Sequence, residues 1–261
     1  MTGALTLSLI VGLYEKYSDD LKRVRESQLK FYQRWTRSER LDRSVFWRGA
    51  RYLARILNVP GSGLFSLRPQ LDDIESEITY LLMREARPET IVELSPSAGW
   101  SSSWLLRALK DNESGTLHSF DMIDDASRML PSELTNGRWK FVLGDVRRMV
   151  DQLPYRIDYL FMDSDHSESF AHWYIETIIP RVPPGGIMSV HDVFHTSNPS
   201  SHDKEGGVIV EWLELQRREF FTASPAKQPE NHEAIMTVRR KLVIGANIHS
   251  GLTNSMIVFR V

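Results

Sequence analysis

From Leu71 onward, short apolar runs alternate with segments in which apolar residues recur every three or four positions. The short runs predict β-strands at 90–95, 116–121, 140–143, 157–163, 186–191 and 255–261. Helices are predicted at 71–86 and 101–110 and around 170–179, whereas 229–245 fits either a helix or a strand. Strands that alternate with helices predict an α/β fold, with a mostly parallel sheet and right-handed crossovers.

The first 69 residues follow a different pattern. The apolar run Ala4–Leu13 is followed by charged sequence with recurring apolar positions up to Leu57, which predicts two or three helices. We expect residues 1–69 to form a helical arm that caps the core, covers the substrate as a lid or forms a homodimer contact. Residues 70–261 are then the core domain. The apolar run is too short to span a bilayer and lacks the flanks of a signal peptide.

Composition narrows the class of function. The chain has 32 basic and 34 acidic residues and a net charge of -2, so no global field favours nucleic acid or an anionic membrane. It contains no cysteine, which excludes disulfides and thiolate zinc sites and fits a cytoplasmic protein. Any metal must therefore be held by oxygen or imidazole ligands. We expect a small-molecule substrate, with neither a nucleic acid nor a membrane as partner.

The segment Thr90–Ser102 joins the first predicted strand to a helix. The strand ends in Glu93, small residues follow from Ser95 to Gly99, and Ser101 offers a hydroxyl at the start of the helix. Such a turn lets a ligand approach backbone N–H groups, as in Rossmann-like folds. The turn lacks the G-x-G-x-x-G spacing that binds a pyrophosphate, so a nicotinamide oxidoreductase is the least favoured enzyme class.

Acidic residues and histidines follow the next four predicted strands, and ligands of such sheets gather at the carboxyl ends of the strands. Asp121 lies 22 residues after Gly99 and suits an acid that accepts hydrogen bonds from ribose hydroxyls. Asp145 either accepts from an adenine amine or caps the next helix. The carboxyl ends of the fourth and fifth predicted strands carry further candidate ligands: Asp163, Asp165, His166, His191 and Asp192. This acidic rim suits a cofactor with an amine, a sulfonium and a ribose.

On these residues the chain resembles the class I S-adenosylmethionine-dependent methyltransferases, most closely the branch of sugar and antibiotic O-methyltransferases, over roughly residues 70–260. The first motif of that family reads acid, any residue, glycine, three residues, glycine. Here it runs from Glu93 to Gly99, with Ser95 in place of the first glycine. The stretches 157–167 and 183–192 are similar to the fourth and fifth strands of that branch.

The resemblance implies a Rossmann-like, seven-stranded, mostly parallel sheet flanked by helices, with S-adenosyl-L-methionine as cofactor. Asp121 would hold the ribose, Asp145 would lie beside the adenine, and Asp163 would face the methionine amino end or a metal. The predicted cofactor-binding residues are Glu93, Ser95, Gly99, Ser101, Asp121, Asp145 and Asp163.

Methyl transfer to a hydroxyl requires that the acceptor be aligned and its proton removed. His191 and His195 are the predicted bases. A divalent metal held by Asp163, His166 and Asp192 would lower the pKa of the hydroxyl instead. Carboxylates suit magnesium, while imidazoles broaden the choice of metal. Some members of the resembled branch bind magnesium through acids at these strand ends, where this chain has His191 followed by Asp192.

The sequence therefore predicts a methyltransferase that acts on a hydroxyl of a small molecule in natural-product or sugar metabolism, and a nitrogen acceptor is the nearest variant. One alternative is a metal-dependent hydroxylase or isomerase on the same fold, because residues 191–203 are rich in histidine. Another is a noncatalytic cofactor-binding partner that regulates a second enzyme. The segment from Thr196 to Gly207 is predicted to be a substrate gate or a plain surface loop.

Overall fold

The computed structural model describes residues 4–42, 71–199, 204–249 and 253–261. The strands are β1 (Thr90–Leu94), β2 (Thr116–Asp121), β3 (Trp139–Leu143), β4 (Tyr159–Met162), β5 (Ile187–Val190), β6 (Phe220–Thr222) and β7 (Ile257–Arg260). The described helices are α1 (Leu7–Lys16), α2 (Ser18–Asp42), α3 (Asp73–Ala86), α4 (Trp100–Asn112), α5 (Ala126–Met129), α6 (Ser132–Thr135), α7 (Glu168–Thr177), α8 (Glu205–Leu215) and α9 (Pro229–Lys241). Short 3-10 helices span Val146–Arg148, Val150–Gln152 and Ile179–Arg181.

The seven strands form one sheet in the order β3-β2-β1-β4-β5-β7-β6. Strands β1 to β5 are parallel, whereas β7 runs antiparallel to both β5 and β6. The chain leaves β3 at one edge and re-enters the sheet at β4, beside β1. Ligands of such sheets bind at this switch point, outside the carboxyl ends of the strands. The exits of β1 and β4 are therefore the centre of the candidate site.

Both faces of the central strands of the sheet are buried. On one face Ile91 and Tyr159 belong to a core formed with α1 to α4, and on the other Val92 and Leu160 belong to a core formed with α7 and α8. This arrangement explains why the parallel strands appear in the sequence as nearly continuous apolar runs. It confirms the predicted Rossmann-like α/β fold with a mostly parallel seven-stranded sheet.

The structure settles two segments that the sequence left open or missed. Residues 229–245 begin as a helix, α9, which starts with Pro229 at a position where the missing N–H costs nothing. Strand β6 has only three residues, too few to show a strand period in the sequence. The predicted loop to Gly207 is shorter than expected, because α8 already begins at Glu205.

The N-terminal arm packs against the core through α1 and the first half of α2. Helix α1 buries Ile10, Leu13 and Tyr14, and α2 adds Leu21 to the same core as α3 and α4. The predicted domain boundary at residue 69 lies outside the described residues. Among the described helices, none combines the length and the apolar character that a membrane span requires.

A row of acids at the start of α3 holds the segment that leads into β7. Asp72 accepts a hydrogen bond from the backbone N–H of Asn254 at 3.0 Å. Asp73 accepts from the backbone N–H groups of residues 248 and 249, each at 2.8 Å. Glu75 accepts from the backbone N–H of Met256 at 2.7 Å. One helix turn therefore fixes residues about 180 positions later in the chain.

A buried ion cluster connects the same helix to the N-terminal arm and to α9. Glu77 is fully buried and accepts hydrogen bonds from Arg25 of α2 and, at 3.1 Å, from Arg239 of α9. The hydroxyl of Tyr14 donates to Glu77 at 2.8 Å, and Arg25 also reaches Asp73 at 2.9 Å. Burial raises the pKa of Glu77, and the two guanidiniums act in the opposite direction. The cluster brings two cations and two anions together inside the protein.

Candidate active site

The carboxylate of Glu93, at the end of β1, is completely buried. It accepts hydroxyl hydrogen bonds from Ser101 at 2.6 Å, Ser102 at 2.7 Å and Ser119 at 2.7 Å. Burial raises the pKa of Glu93, while the three serine hydrogen bonds favour the charged form. Glu93 therefore connects β1 to β2 through Ser119. It connects β1 to the first turn of α4 through Ser101 and Ser102.

The turn between β1 and α4 has a left-handed backbone where it passes the strand end. Ser95 has a φ of 63° and Gly99 a φ of 85°. The Ser95 hydroxyl donates to the Ser164 hydroxyl at 2.9 Å, which joins the exits of β1 and β4. A Cβ atom on residue 99 would lie 2.8 Å from Leu130 Cγ, so only glycine fits there without a shift. Ser95 thus has the left-handed backbone conformation that glycine favours, at the position where the resembled motif has its first glycine.

Asp121 ends β2 and faces this turn. Its carboxylate accepts from the backbone N–H of Ser97 at 2.9 Å and of Ile123 at 3.1 Å. Burial raises the pKa of Asp121, which these backbone hydrogen bonds oppose. Two exposed apolar side chains lie next to it: Met122, which follows β2, is 73 % exposed, and Leu143, which pairs with Asp121 at the end of β3, is 57 % exposed. Sequence reasoning missed this apolar surface, although the residues directly follow or end predicted strands.

Asp145 follows β3 and caps the first 3-10 helix. Its Oδ1 atom accepts from the backbone N–H of Arg147 at 3.0 Å and from the side-chain Nε at 3.3 Å. Burial would raise the pKa of Asp145, but the hydrogen bonds from Arg147 outweigh it and the pKa is lowered. The capping alternative that the sequence left open is therefore present. Within the described part of the chain, Oδ2 has no hydrogen-bond donor.

Asp163, His191 and Asp192 form a compact cluster at the exits of β4 and β5. His191 is 4 % exposed, and its Nδ1 atom lies 3.4 Å from Asp163 Oδ1 and 3.2 Å from Asp192 Oδ1. These ligand atoms all lie within 4.8 Å of one another. Nδ1 makes no hydrogen bond of acceptable geometry to a described residue. On the opposite side of the ring, Nε2 lies 3.3 Å from Glu75 Oε2 of α3.

These contacts set the charges of the cluster. Burial lowers the pKa of His191, but the surrounding Asp163, Glu75 and Asp192 outweigh it and hold that pKa well above its usual range. Burial of Asp192 acts against its charge, yet His191 lowers the pKa of Asp192 strongly. The surrounding carboxylates therefore favour the protonated form of His191.

Two further histidines flank the cluster. His166 Nδ1 is hydrogen-bonded to Glu205 Oε2 at 2.8 Å, while Nε2 lies 3.6 Å from Asp192 and 3.8 Å from Asp163. Burial lowers the pKa of His166, but Glu205 outweighs it and raises that pKa to about 9. The side chain of His195 is 44 % exposed, and its Nε2 atom lies 3.1 Å from Asp192 Oδ1.

The sequence did not identify Glu75 and Glu205 as partners of the site histidines. Both lie in the first turn of a helix, where an acid ordinarily stabilises the helix dipole. No local signal therefore separates them from capping residues. Residues 200–203, at the end of the histidine-rich stretch 191–203, lie outside the described residues.

The structure brings all the predicted site residues to the carboxyl edge of the sheet, in two neighbouring groups. The group at β1, β2 and β3 contains Glu93, Ser95, Gly99, Ser101, Asp121 and Asp145. The group at β4 and β5 contains Asp163, His166, His191, Asp192 and His195. The individual roles that we assign to these residues stay predictions.

Comparison with known proteins relates part of the chain to a protein family. Residues 92–193 match the model of a methyltransferase domain, whereas none of the curated proteins matches the chain significantly. A putative caffeoyl-CoA O-methyltransferase from Staphylococcus aureus is 12% identical, with a TM-score of 0.52 over 87% of this chain and 98% of that one. A putative O-methyltransferase from Klebsiella pneumoniae is 15% identical, with a TM-score of 0.51 over 88% of this chain and 98% of that one.

The O-methyltransferase from Bacillus cereus, solved in complex with SAH, is 14% identical, with a TM-score of 0.51 over 88% of this chain and 100% of that one. At these identities the likeness to solved structures concerns the fold. The family match covers the segment from β1 to the residues after β5, which carries both groups of site residues except His195. Residues 92–193 are therefore similar to a methyltransferase domain, and the chain shares the fold of these solved structures.

Proposed function

We propose that this protein transfers a methyl group from S-adenosyl-L-methionine to a hydroxyl of a small molecule in natural-product or sugar metabolism. One observation carries the proposal. The Asp121 carboxylate, flanked by exposed apolar side chains, lies at the same sheet edge as the Asp163, His191 and Asp192 cluster. A ribose-binding acid and an acid-base centre are the two parts that such a transfer requires. The O-methyltransferases with the same fold support the choice of a hydroxyl.

The residues at the exits of β1 to β3 fit an adenosine. In the proposed complex, Asp121 accepts hydrogen bonds from the ribose hydroxyls, and the free Oδ2 atom of Asp145 accepts from the adenine amine. Met122 and Leu143 offer apolar surface for the flat ring. Glu93 acts indirectly, because its oxygens already hold serine hydroxyls and fix the turn. When bound, the cofactor supplies an electrophilic methyl group on a sulfonium.

The donor set at the exits of β4 and β5 fits a divalent metal. A buried Nδ1 atom without a hydrogen-bond partner lies between two carboxylates, an arrangement that a shared cation satisfies. We propose Asp163, His191 and Asp192 as the ligands, with His191 in place of the His166 predicted from sequence. His166 Nδ1 is engaged by Glu205, and its Nε2 lies farther from both aspartates. The imidazole favours transition metals more than an all-oxygen site does, and a metal bound there lowers the pKa of a nearby hydroxyl.

The same geometry favours His195 over His191 as the base. A base must reach the acceptor and hold an unprotonated nitrogen. His191 is buried, and its surrounding carboxylates keep it protonated in the metal-free protein. His195 is accessible from solvent, and Asp192 lies within hydrogen-bond distance of its Nε2 atom. In the proposed reaction, His195 accepts the hydroxyl proton while Asp192 orients its ring.

Isothermal titration calorimetry with S-adenosylhomocysteine tests the cofactor assignment. We expect binding by the intact protein, and a more than tenfold loss of affinity for Asp121→Asn, because the amide replaces one acceptor oxygen with a donor. Asp151→Asn is the matched control, since Asp151 is an exposed acid in the second 3-10 helix. If neither S-adenosylmethionine nor S-adenosylhomocysteine binds, the proposal fails.

Transfer of a labelled methyl group to a panel of hydroxylated small molecules tests the base. We expect His195→Gln to lower turnover at least a hundredfold while the affinity for S-adenosylhomocysteine stays within twofold. His166→Gln is the comparison, because this histidine contacts the same Asp192 but is held by Glu205. Full turnover in the His195 variant would remove it as the base.

A further inference from the structure

A cavity of about 330 Å³ lies between α2, α4 and α6, away from the strand exits that form the candidate active site. Lys30 and Arg34 line it from α2, and Arg107 and Lys110 line it from α4. Glu133 is the only acid among the lining residues. The chain as a whole has a net charge of -2, so this local excess of cations is not a property of the surface in general.

Arg107 is held in the cavity by a neutral hydrogen-bond partner. Its Nε atom donates to the side-chain oxygen of Gln28 at 2.7 Å, and the fully buried Gln28 donates in turn to Ser103 at 2.8 Å. These hydrogen bonds fix the plane of the guanidinium through a neutral partner. Among the described residues, no carboxylate lies within salt-bridge distance of Arg107. Burial lowers the pKa of Arg107, while the nearby carboxylates of Glu133 and Asp111 act in the opposite direction.

Two buried arginines elsewhere in the described chain, Arg25 and Arg239, do have carboxylates in direct contact. Arg25 contacts both Asp73 and Glu77, and Arg239 contacts Glu77 as well. A desolvated cation normally has such a partner, because burial without one is costly. Arg107 is only partly buried, lines an open cavity and has no carboxylate in direct contact. An anion that enters the cavity would supply such a contact.

Lys30 and Lys110 add charge at the exposed rim of the cavity. A cation in the last turn of α4 is partly explained by the helix dipole, and this accounts for Lys110. It does not account for Lys30 on a different helix, or for Arg107 in the interior of α4. The convergence of four cations from two helices on one cavity is the feature that points to an anionic ligand.

We propose that this cavity binds the phosphate group of a small molecule. A guanidinium fork of fixed orientation pairs with two phosphate oxygens, and the two lysines add point charges at the rim. The volume lies at the lower end of the range of small-molecule sites and suits a compact phosphorylated ligand. The proposal does not rest on the methyltransferase activity, and neither S-adenosylmethionine nor its product carries a phosphate.

Calorimetric titration of the full-length protein with inorganic phosphate and with pyrophosphate, without any cofactor, tests the site. We expect saturable binding to one site, a loss of at least tenfold in affinity for Arg107→Lys, and a similar loss for the double variant Lys30→Gln with Lys110→Gln. Arg107→Lys keeps the charge but removes the fork, whereas the lysines are exposed and their replacement spares the fold. Arg240→Gln is the control, because it removes one exposed charge from α9. We expect its affinity to stay within twofold of the wild type.

Thermal unfolding of each variant separates a lost site from a lost fold. Weak binding that does not saturate, or an equal loss in Arg240→Gln, would mean general charge attraction and would overturn the proposal. Co-sedimentation with phosphatidic acid vesicles distinguishes the source of the phosphate. Vesicle binding without binding of soluble phosphate or pyrophosphate would assign the cations to a membrane surface and also overturn the proposal. Saturable phosphate binding that both site variants lose would establish it.

Discussion

Ser95 has a left-handed backbone, with a φ of 63°, at the point where the cofactor turn leaves β1. A non-glycine residue in this conformation costs roughly 1–2 kcal/mol. The hydroxyl contact with Ser164 offsets part of that cost. Ser95 therefore has two opposing effects on stability, backbone strain and a side-chain link between β1 and β4, and a glycine at this position would remove both.

Comparing Ser95→Gly with Ser95→Ala isolates the backbone effect. Both variants lose the hydroxyl, but only glycine adopts a positive φ without strain. We expect the glycine variant to be more stable than the alanine variant by about 1 kcal/mol in urea unfolding. Equal stabilities, or a more stable alanine variant, would show that this turn carries no strain in solution.

Glu75 controls the orientation of His191, because its Oε2 atom lies 3.3 Å from Nε2 and the opposite ring nitrogen points at Asp163 and Asp192. The other partners of this carboxylate are also donors, the backbone N–H groups of residues 72 and 256. A glutamine at position 75 would therefore place its NH2 group against another hydrogen-bond donor and lose at least one of these contacts. Carboxylates behind a metal-bound histidine typically contribute 10- to 100-fold to metal affinity.

We accordingly expect Glu75→Gln to weaken the binding of Mn²⁺ by about 10- to 100-fold, measured by electron paramagnetic resonance. Asp72→Asn is the matched control. Asp72 lies in the same helix turn and holds the backbone of Asn254, but among the described contacts no hydrogen bond or ion pair joins it to His191. Loss of affinity in both variants alike would mean that the α3 turn, and not the contact with His191, determines metal binding.

At the scale of elements, α8 is connected to the loop after β4 by the contact between Glu205 and His166. The pKa of His166 is about 9 in the folded protein, above its usual 6.5. Below pH 6.5 both the folded and the unfolded chain carry the proton, so the stabilisation is fully present. Above that pH the unfolded chain loses its proton first, and the stabilisation is lost as the pH rises through about 9.

The free energy of unfolding of the metal-free protein should therefore fall between pH 6.5 and 9, with His166 accounting for up to about 3 kcal/mol. Urea unfolding with a chelator present measures this slope. His166→Gln should reduce it without abolishing it, because the raised pKa of His191 acts in the same direction. A stability that rises over this range would contradict the assigned contacts.

The sequence predicted elements well where many residues repeat one pattern. Strands β1 to β5 were placed to within about two residues, because their apolar runs are bounded by polar exits. Strand β6 and the start of α8 were missed, since three residues show no period and paired glycines indicated a loop. The strand-exit acids were found because parallel topology itself brings them together. Glu75 and Glu205 were not, because their contact with the histidines exists only after α3 and α8 dock.

At the scale of the whole molecule, the buried ion cluster joins α2, α3 and α9. Removing one partner from a buried ion pair commonly costs 3–5 kcal/mol, because the remaining charge stays desolvated, whereas an exposed pair contributes at most about 1 kcal/mol. Arg25 and Arg23 lie two positions apart on α2 and represent these two cases. Arg25 is buried against Asp73 and Glu77, while Arg23 is exposed beside Asp20 and Asp111.

We expect Arg25→Ala to lower the free energy of unfolding by about 3–5 kcal/mol and Arg23→Ala by less than about 1 kcal/mol. Chemical denaturation of the two variants provides the comparison. A small effect of Arg25→Ala would mean that water enters the cluster, or that the N-terminal arm contributes little to the stability of the core.

The acid row of α3 also has a consequence for how the molecule opens. One helix start binds the backbone ahead of β7, the guanidinium of α2 and the imidazole after β5. If α3 undocks, all three lose their anchor in the same event. Amide hydrogens of β7, near the C-terminus, and of α2, near the N-terminus, should then exchange with solvent through one shared opening. Segments more than 200 residues apart in sequence would belong to a single cooperative unit.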